Sequence, residues 1–212
     1  MAPRRSADHR NSGPEALTFT ERARRRQIVE CTIDLISTKG YPATSLSAIA
    51  EAAGISKAAV LYHFSSKDNL ARTTLEHVME SFRTYVHERV ERETDPCAAI
   101  VTYVRAMISY QRDNRRHVRV ITEMLLDDEG GTRLKNPGSH DSHDRLGYLA
   151  GLLARRQEAG GLRPFDPLTA GLAIGGAIDG VISHWLVHPG YDLDAAADEL
   201  VAFTLSAIRR QD

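Results

Sequence analysis

The stretch GISKAAVLYHFSSKDNL, residues 54–70, constrains the fold more than any other part of this chain. It places a glycine bend, a short helix and the start of a further helix in immediate succession. Just upstream, Leu46, Ile49, Ala50 and Ala53 read as a preceding helix, with Thr44 or Ser45 as its cap. Gly54 can take the left-handed backbone of a tight bend, and Ser56 can cap the next helix. Ala50 is small where two helices must cross, and Ile55 and Val60 can fill the crevice between them. Lys57, Ala58, Ala59, Leu61, Tyr62 and His63 are left for the other face. Such a helix fits a DNA major groove, with its amino-terminal residues nearest the base edges. Ser65-Ser66 separates it from a helix starting near Lys67, where free N–H groups and a positive dipole end favour phosphate. The same spacing also suits an αα-hairpin packed internally.

The remainder predicts helices throughout. Ile28, Thr32, Leu35 and Ile36 form a stripe on a first helix that opens at Phe19, follows Arg22, Arg24, Arg25 and Arg26, and stops at Lys39-Gly40. Leu75, Val78, Phe82, Tyr85 and Val86 continue the fourth helix up to Asp95-Pro96. Further helices are expected over 98–114, 118–126 and 146–159, with 129–142 as a Gly/Ser/Asn-rich loop. Asp166-Pro167 opens a helix with proline in its first position that runs to Val187. A last helix runs from Leu193 to Arg210. No β alternation persuades, so the expected fold is all-α with about nine helices. The organisation predicted is a polar tail over 1–18, a three-helix unit over 19–66 and a larger helical unit over 67–212, the helix from 67 linking the two.

Net charge is −1, which alone gives no reason to expect a polyanionic partner. Its distribution is uneven: residues 1–70 hold ten Lys/Arg against seven Asp/Glu, and the rest seventeen against twenty-one. The basic excess thus falls where the helix-bend-helix lies. Arg4, Arg5 and Arg10 could brush a DNA backbone, but a solvated tail is the plainer reading. Two cysteines, Cys31 and Cys97, make no disulfide framework. An apolar run able to span a bilayer and an amino-terminal signal segment are not expected, and a cytoplasmic protein without a membrane partner is.

Residues 28–70, with Gly40-Tyr41, Thr44-Ser45, Ile49-Ala50, Ala53-Gly54, Lys57, Tyr62-His63-Phe64 and Ser66-Lys67, closely resemble the amino-terminal domain of TetR-family transcriptional regulators. Beyond them the chain is similar to the family only in length, all-α character and the closing pair of long helices. The resemblance implies a homodimer whose two reading heads bind a partly palindromic double-stranded operator. It also implies a small-molecule effector that enters the carboxy-terminal domain and releases the DNA. Phosphate contacts are implied at Thr44, Tyr62, His63 and Lys67, with Ser45 beside them, and base-edge contacts at Ser47, Lys57, Ala58 and Ala59. Leu61 stands where many members carry tyrosine, so that contact is lost or becomes apolar. Lys57 is then the one long polar reader on the helix, and much specificity is expected from DNA shape.

In the carboxy-terminal part, Ala170, Ile174, Ala177, Ile178 and Val181 form a stripe on a helix thinned by Gly171, Gly175, Gly176 and Gly180. With Leu200, Phe203, Leu205 and Ile208 they suit a four-helix dimer interface. Asp179 is conspicuous in that stripe, since a buried carboxylate needs partners. An effector cavity would draw on Tyr85, Tyr103, Met107, Tyr110, Met124, Tyr148, His184 and Trp185, and suggests an apolar or aromatic effector whose identity the sequence leaves unknown. The pairs His140/His143 and His184/His188 have spacings that metals use, yet no cysteine or fixed acidic ligand accompanies them, so no metal site and no cofactor is expected. Neither a nucleophile elbow nor a phosphate-cradling glycine loop nor HExxH occurs, so catalysis is not expected. The chain reads as a DNA-binding repressor released by an effector. The alternative is an all-α ligand-binding or protein-interaction dimer whose helix-turn-helix is only structural.

Overall fold

The computed structural model describes residues 18–125 and 138–210, and within them nine α-helices. They are α1 (Phe19–Lys39), α2 (Leu46–Ala52), α3 (Lys57–His63), α4 (Lys67–Val90), α5 (Pro96–Asp113), α6 (Arg115–Leu125), α7 (Gly138–Glu158), α8 (Pro167–Val187) and α9 (Leu193–Ile208). The only extended pairing among the described residues is one antiparallel bridge between Leu162 and Arg209.

Most helix starts follow local capping chemistry. Thr18 and Glu21 form a reciprocal capping box on α1. Ser45, Ser56 and Ser66 cap α2, α3 and α4 with their hydroxyls. Asp95, Asp166 and Asp192 do the same for α5, α8 and α9, the first two ahead of a proline. Gly40, at φ 78°, ends α1 in a conformation that costs any residue with a Cβ.

Two cores result. The first joins Ile28, Ile33, Ile36, Ile49, Val60, Phe64, Leu70 and Val78, all fully or almost fully buried. Val120 and Met124 of α6 complete it. The second gathers the distal half of α4 with α5, α7, α8 and α9 around Tyr103, Val104, Leu149, Leu153 and Ile178. Thus α4 serves both, and the first core reaches well beyond residue 66.

Three expectations change. Helix α7 begins at Gly138, so 138–142 are helical where a loop was expected; turn-type composition is a local preference that helix packing overrides. The rest of that segment up to 137, and residues 1–17 of the tail, lie outside the described residues. Helix α8 is, by length and composition, apolar enough to cross a membrane, with a mean hydropathy of 1.4. Its inner face is instead packed against α5, α7 and α9, which is the other reason a helix becomes this apolar.

The third concerns the carboxy-terminal stripe. Ile174, Ile178, Leu200 and Ile208 are buried inside the chain, with Ala170, Ala177, Val181 and Leu205 packed against the same core. That face is used up within one chain because α8 must cover α7. Gly171 explains how closely: a Cβ there would stand 3.4 Å from the Ala150 backbone nitrogen. The face left open is offset around the helix and carries Leu168, Leu172, Gly176, Gly180 and Val187, with Phe203 from α9 at 67% exposure. Nothing lies within 4 Å of a Cβ built on Gly176 or Gly180. Of the nine residues expected at an interface, Phe203 is exposed in the single chain, Ala170, Ala177, Val181 and Leu205 are half-buried, and Ile174, Ile178, Leu200 and Ile208 are buried.

Candidate nucleic-acid interface and effector cavity

The bend between α2 and α3 is a Schellman motif. The Ile55 N–H donates to the Ala50 carbonyl at 2.9 Å and the Gly54 N–H to the Glu51 carbonyl at 3.1 Å, with Gly54 at φ 65°. Gln27 Nε2 donates to the Ala53 carbonyl at 3.1 Å, tying α1 to the same corner. At the other end of α3, the Arg25 guanidinium lies 4.1 Å from the centre of the Phe64 ring and donates to the His63 carbonyl. The corner that leads into the short helix and the helix's own carboxyl end are therefore both tied to α1.

On that side Lys57, Ala58, Leu61 and Tyr62 are exposed, and Ala59 and His63 are half-buried. Tyr62 is 77% exposed, its ring meeting His63 edge-on at 5.1 Å. Ser45 and Ser47 are exposed at the start of α2. Thr44 departs from expectation: it is 1% exposed, and its hydroxyl donates to the Gly40 carbonyl at 2.8 Å. Its side chain staples the α1–α2 turn and is unavailable at the surface. Lys67 is half-buried, donates from Nζ to the Tyr41 carbonyl at 3.0 Å, and lies 4.4 Å from the centre of the Tyr41 ring. Burial holds its pKa below the usual lysine range. Among the arginines of α1, Arg25 is committed internally and Arg24 donates to Gln27, while Arg22 and Arg26 are exposed.

Helix α6, whose Val120 and Met124 complete the first core, also grips this head through polar contacts. Glu123 accepts from the Tyr41 N–H at 3.3 Å and pairs with Arg119 at 3.1 Å. Arg116 pairs with Asp34 of α1. At the root of α6, the Tyr110 hydroxyl meets His117 Nδ1 at 2.7 Å. Burial pushes that hydroxyl up to about 12 and the imidazole down.

Between α4, α5 and α7 lies a cavity of about 270 Å³. Of the residues expected to line it, Tyr103, Met107 and Tyr148 do. Tyr85 and Tyr110 instead pack beside it, Tyr85 under Arg89 and Tyr110 stacked on Phe82 at 4.6 Å. Met124 is buried in the first core, and His184 is exposed beside His188 and Tyr191. Trp185 is buried under Arg115, at the edge of a separate groove of about 180 Å³ between α6 and α8. Phe82, Arg83, Val86, His87, Met79 and Arg145 complete the cavity wall. The α4 members recur at intervals of three and four, 79, 82, 83, 86 and 87, a face that helical periodicity could have supplied; nothing local marks Arg145.

Arg145 sets the charge of that wall. It forms a two-pronged pair with Asp179 at 2.7 and 2.6 Å, reaching from α7 to α8. Asp179 is thus paired within the chain, yet its side chain is 52% exposed, so it is not a buried carboxylate. His87 stacks on Tyr148 with centroids 3.9 Å apart, and burial keeps its pKa below the usual histidine range. No group of His, Cys, Asp and Glu able to hold a metal ion occurs among the described residues.

Residues 28–74 match the family model described as bacterial regulatory proteins, tetR family. Over 189 residues the chain is 29% identical to the HTH-type transcriptional regulator BetI of Burkholderia lata, covering 82% of this chain and 95% of that one. Among solved structures it is similar in fold to SmeT, the repressor of the Stenotrophomonas maltophilia multidrug efflux pump SmeDEF, solved as a complex with triclosan. The TM-score is 0.72 at 22% identity, over 89% of this chain and 93% of that one. It is also similar in fold to AibR in complex with isovaleryl coenzyme A and operator DNA, with a TM-score of 0.65 at 23% identity, over 85% and 97% of the two chains.

Proposed function

We propose that the chain is a sequence-specific DNA-binding repressor of the tetR family that a small molecule releases from its operator, a reading supported by the match of residues 28–74 to the family model and by the 29% identity to BetI. The observation that carries this is the presentation of α3. The bend before it, through Ala53, and its carboxyl end, through His63, are tied to α1, and its amino-terminal Lys57 and Ala58 stand clear in solvent. Lys57 and Ser47 are proposed to face base edges, Ala58 and Ala59 to touch thymine methyls. Tyr62, His63, Ser45 and Lys67 are proposed to face phosphate, Lys67 with the donors that Tyr41 leaves over. Leu61 adds apolar contact only.

Two heads require two chains. The open face of α8 and α9, with Leu172, Gly176, Gly180 and Phe203, is proposed to pack on its own copy as a four-helix interface. The effector is proposed to sit in the α4–α5–α7 cavity. Helix α4 lines that cavity with Phe82 and Val86 and begins at Lys67, so a displacement of α4 moves the head. A ligand that fits one α4 setting better shifts the population toward it. Such a protein works in the cytoplasm, where its DNA is, and needs no catalytic step.

Fluorescence anisotropy with the upstream DNA of its own gene, a shuffled control and rising salt tests this reading. Specific binding at two chains or a multiple per site, with log K falling linearly in log salt, is expected. DNA selected from random sequence that binds no better than the shuffled control would favour a helix-turn-helix with a structural role only.

A further inference from the structure

Resting on the effector reading above, we propose that the α4–α5–α7 cavity takes a compact organic carboxylate, with the carboxylate on Arg145 and an apolar or aromatic body against Phe82, Val86 and Met107. The cavity wall is largely apolar through Met79, Phe82, Val86 and Met107, and Arg145, which can only donate, lines it together with Tyr103 and Tyr148. Asp179 occupies two of the five N–H groups of Arg145. The other three meet no partner among the described residues. The Tyr103 hydroxyl likewise has none, and burial pushes it up to about 12, so it stays a donor. The Tyr148 hydroxyl is buried, and burial first and then the nearby Glu91 carboxylate push its pKa up, so it too stays a donor. Among the described residues no aspartate or glutamate lines the cavity.

The pairing with Asp179 does not cancel this preference. Asp179 lies on α8, outside the wall, and its side chain is 52% exposed, so water screens its charge. Arg145 is 24% exposed and lines the cavity on the other side. Asp179 therefore acts as a positioning residue that fixes the plane of the guanidinium, leaving an edge free for a second carboxylate. Arg83 shares the Glu80 carboxylate at 2.8 Å and adds positive potential nearby. Size limits the body. At about 270 Å³ the cavity is at the small end for ligand sites, which run about 300–1,000 Å³, and does not enclose a whole coenzyme A thioester.

Calorimetry on the full dimer without DNA tests the assignment, using phenylacetate, phenylpropionate and octanoate, each against its own primary amide. At least one acid is expected to bind tenfold or more tightly than its amide. Arg145→Gln is expected to remove that difference and Arg145→Lys to restore part of it, both with DNA affinity retained as evidence of folding. The assignment is overturned if no acid in the panel outbinds its amide, or if Arg145→Gln, still binding DNA, keeps the preference. An acid that binds to a protein without DNA affinity would sink the repressor reading and leave this one standing.

Discussion

Lys67 sits over the face of Tyr41 and donates to the same residue's carbonyl, while the Tyr41 hydroxyl donates to Asp68 at 3.0 Å. The first residue of α4 is thus anchored to the α1–α2 turn before any DNA arrives. A side chain so held loses little freedom on meeting a phosphate, because its conformational cost is met in folding.

Replacing Lys67 by alanine should weaken binding to all DNA sequences alike and, with one Lys67 in each of two heads, reduce the slope of log K against log salt by about 1.8. Anisotropy titrations at several salt concentrations read both quantities. An unchanged slope with a lower melting temperature would make Lys67 a structural residue only.

Lys57→Ala should alter which operator variants bind, with a cost of about 1–3 kcal/mol concentrated at one base pair. Random-sequence selection with both proteins compares their preferences directly. A uniform loss across sequences would move Lys57 to the phosphate contacts.

Gly54→Ala meets no steric obstacle, since nothing lies within 4 Å of the new Cβ. The cost comes from the backbone at φ 65° alone, about 1–2 kcal/mol. Denaturant unfolding should show that loss; a neutral outcome would mean that the bend relaxes.

Phe203→Glu should convert dimers to monomers in light scattering while leaving helical content intact, because the ring is exposed in the single chain. Ile178→Ala, fully buried, should instead cost about 2–5 kcal/mol of stability. If Phe203→Glu remains dimeric, the chains pair through another face.

Burial depresses the pKa of both His87 and His117, with Glu30, Arg116 and His77 acting on the latter through charge. A folded pKa below the ordinary value of about 6.5 means that the neutral rings stabilise the fold above that pH. Their contribution is lost as the pH falls from about 7 toward about 5, because the unfolded chain takes up the proton first. Melting temperatures of wild type and His117→Gln, compared across that range, should converge as the pH drops. Parallel curves would remove His117 from the account.

The reading head was legible because its signals are local. Ser45, Gly54, Ser56 and Gly40 mark caps and bends that depend on one or two neighbours, and each stands where its chemistry placed it. The carboxy-terminal half was legible as helices but not as faces. The stripe Ile174/Ile178 has the right period, yet period alone does not say whether it meets α7 or a second chain, and it meets α7. Met124 was misplaced for the same reason: α6 is short, and its apolar side turns to the head and away from the cavity. Arg145 could not be found locally, since its meaning comes from Asp179, 34 residues on. Thr44 shows the limit of carrying a role over by motif, because a residue can recur in a pattern for the turn it closes.

Val120 and Met124 occupy the middle of a core otherwise built from α1–α4, and Glu123 holds the Tyr41 backbone from outside. A head cut off after residue 66 would therefore be left with a hole where α6 belongs. Exchanging reading heads between relatives would need α4 and the packing surface of α6 to travel with them. In the proposed repressor the operator-reading head and the effector cavity both pack on α4, so substitutions along that helix are felt by both.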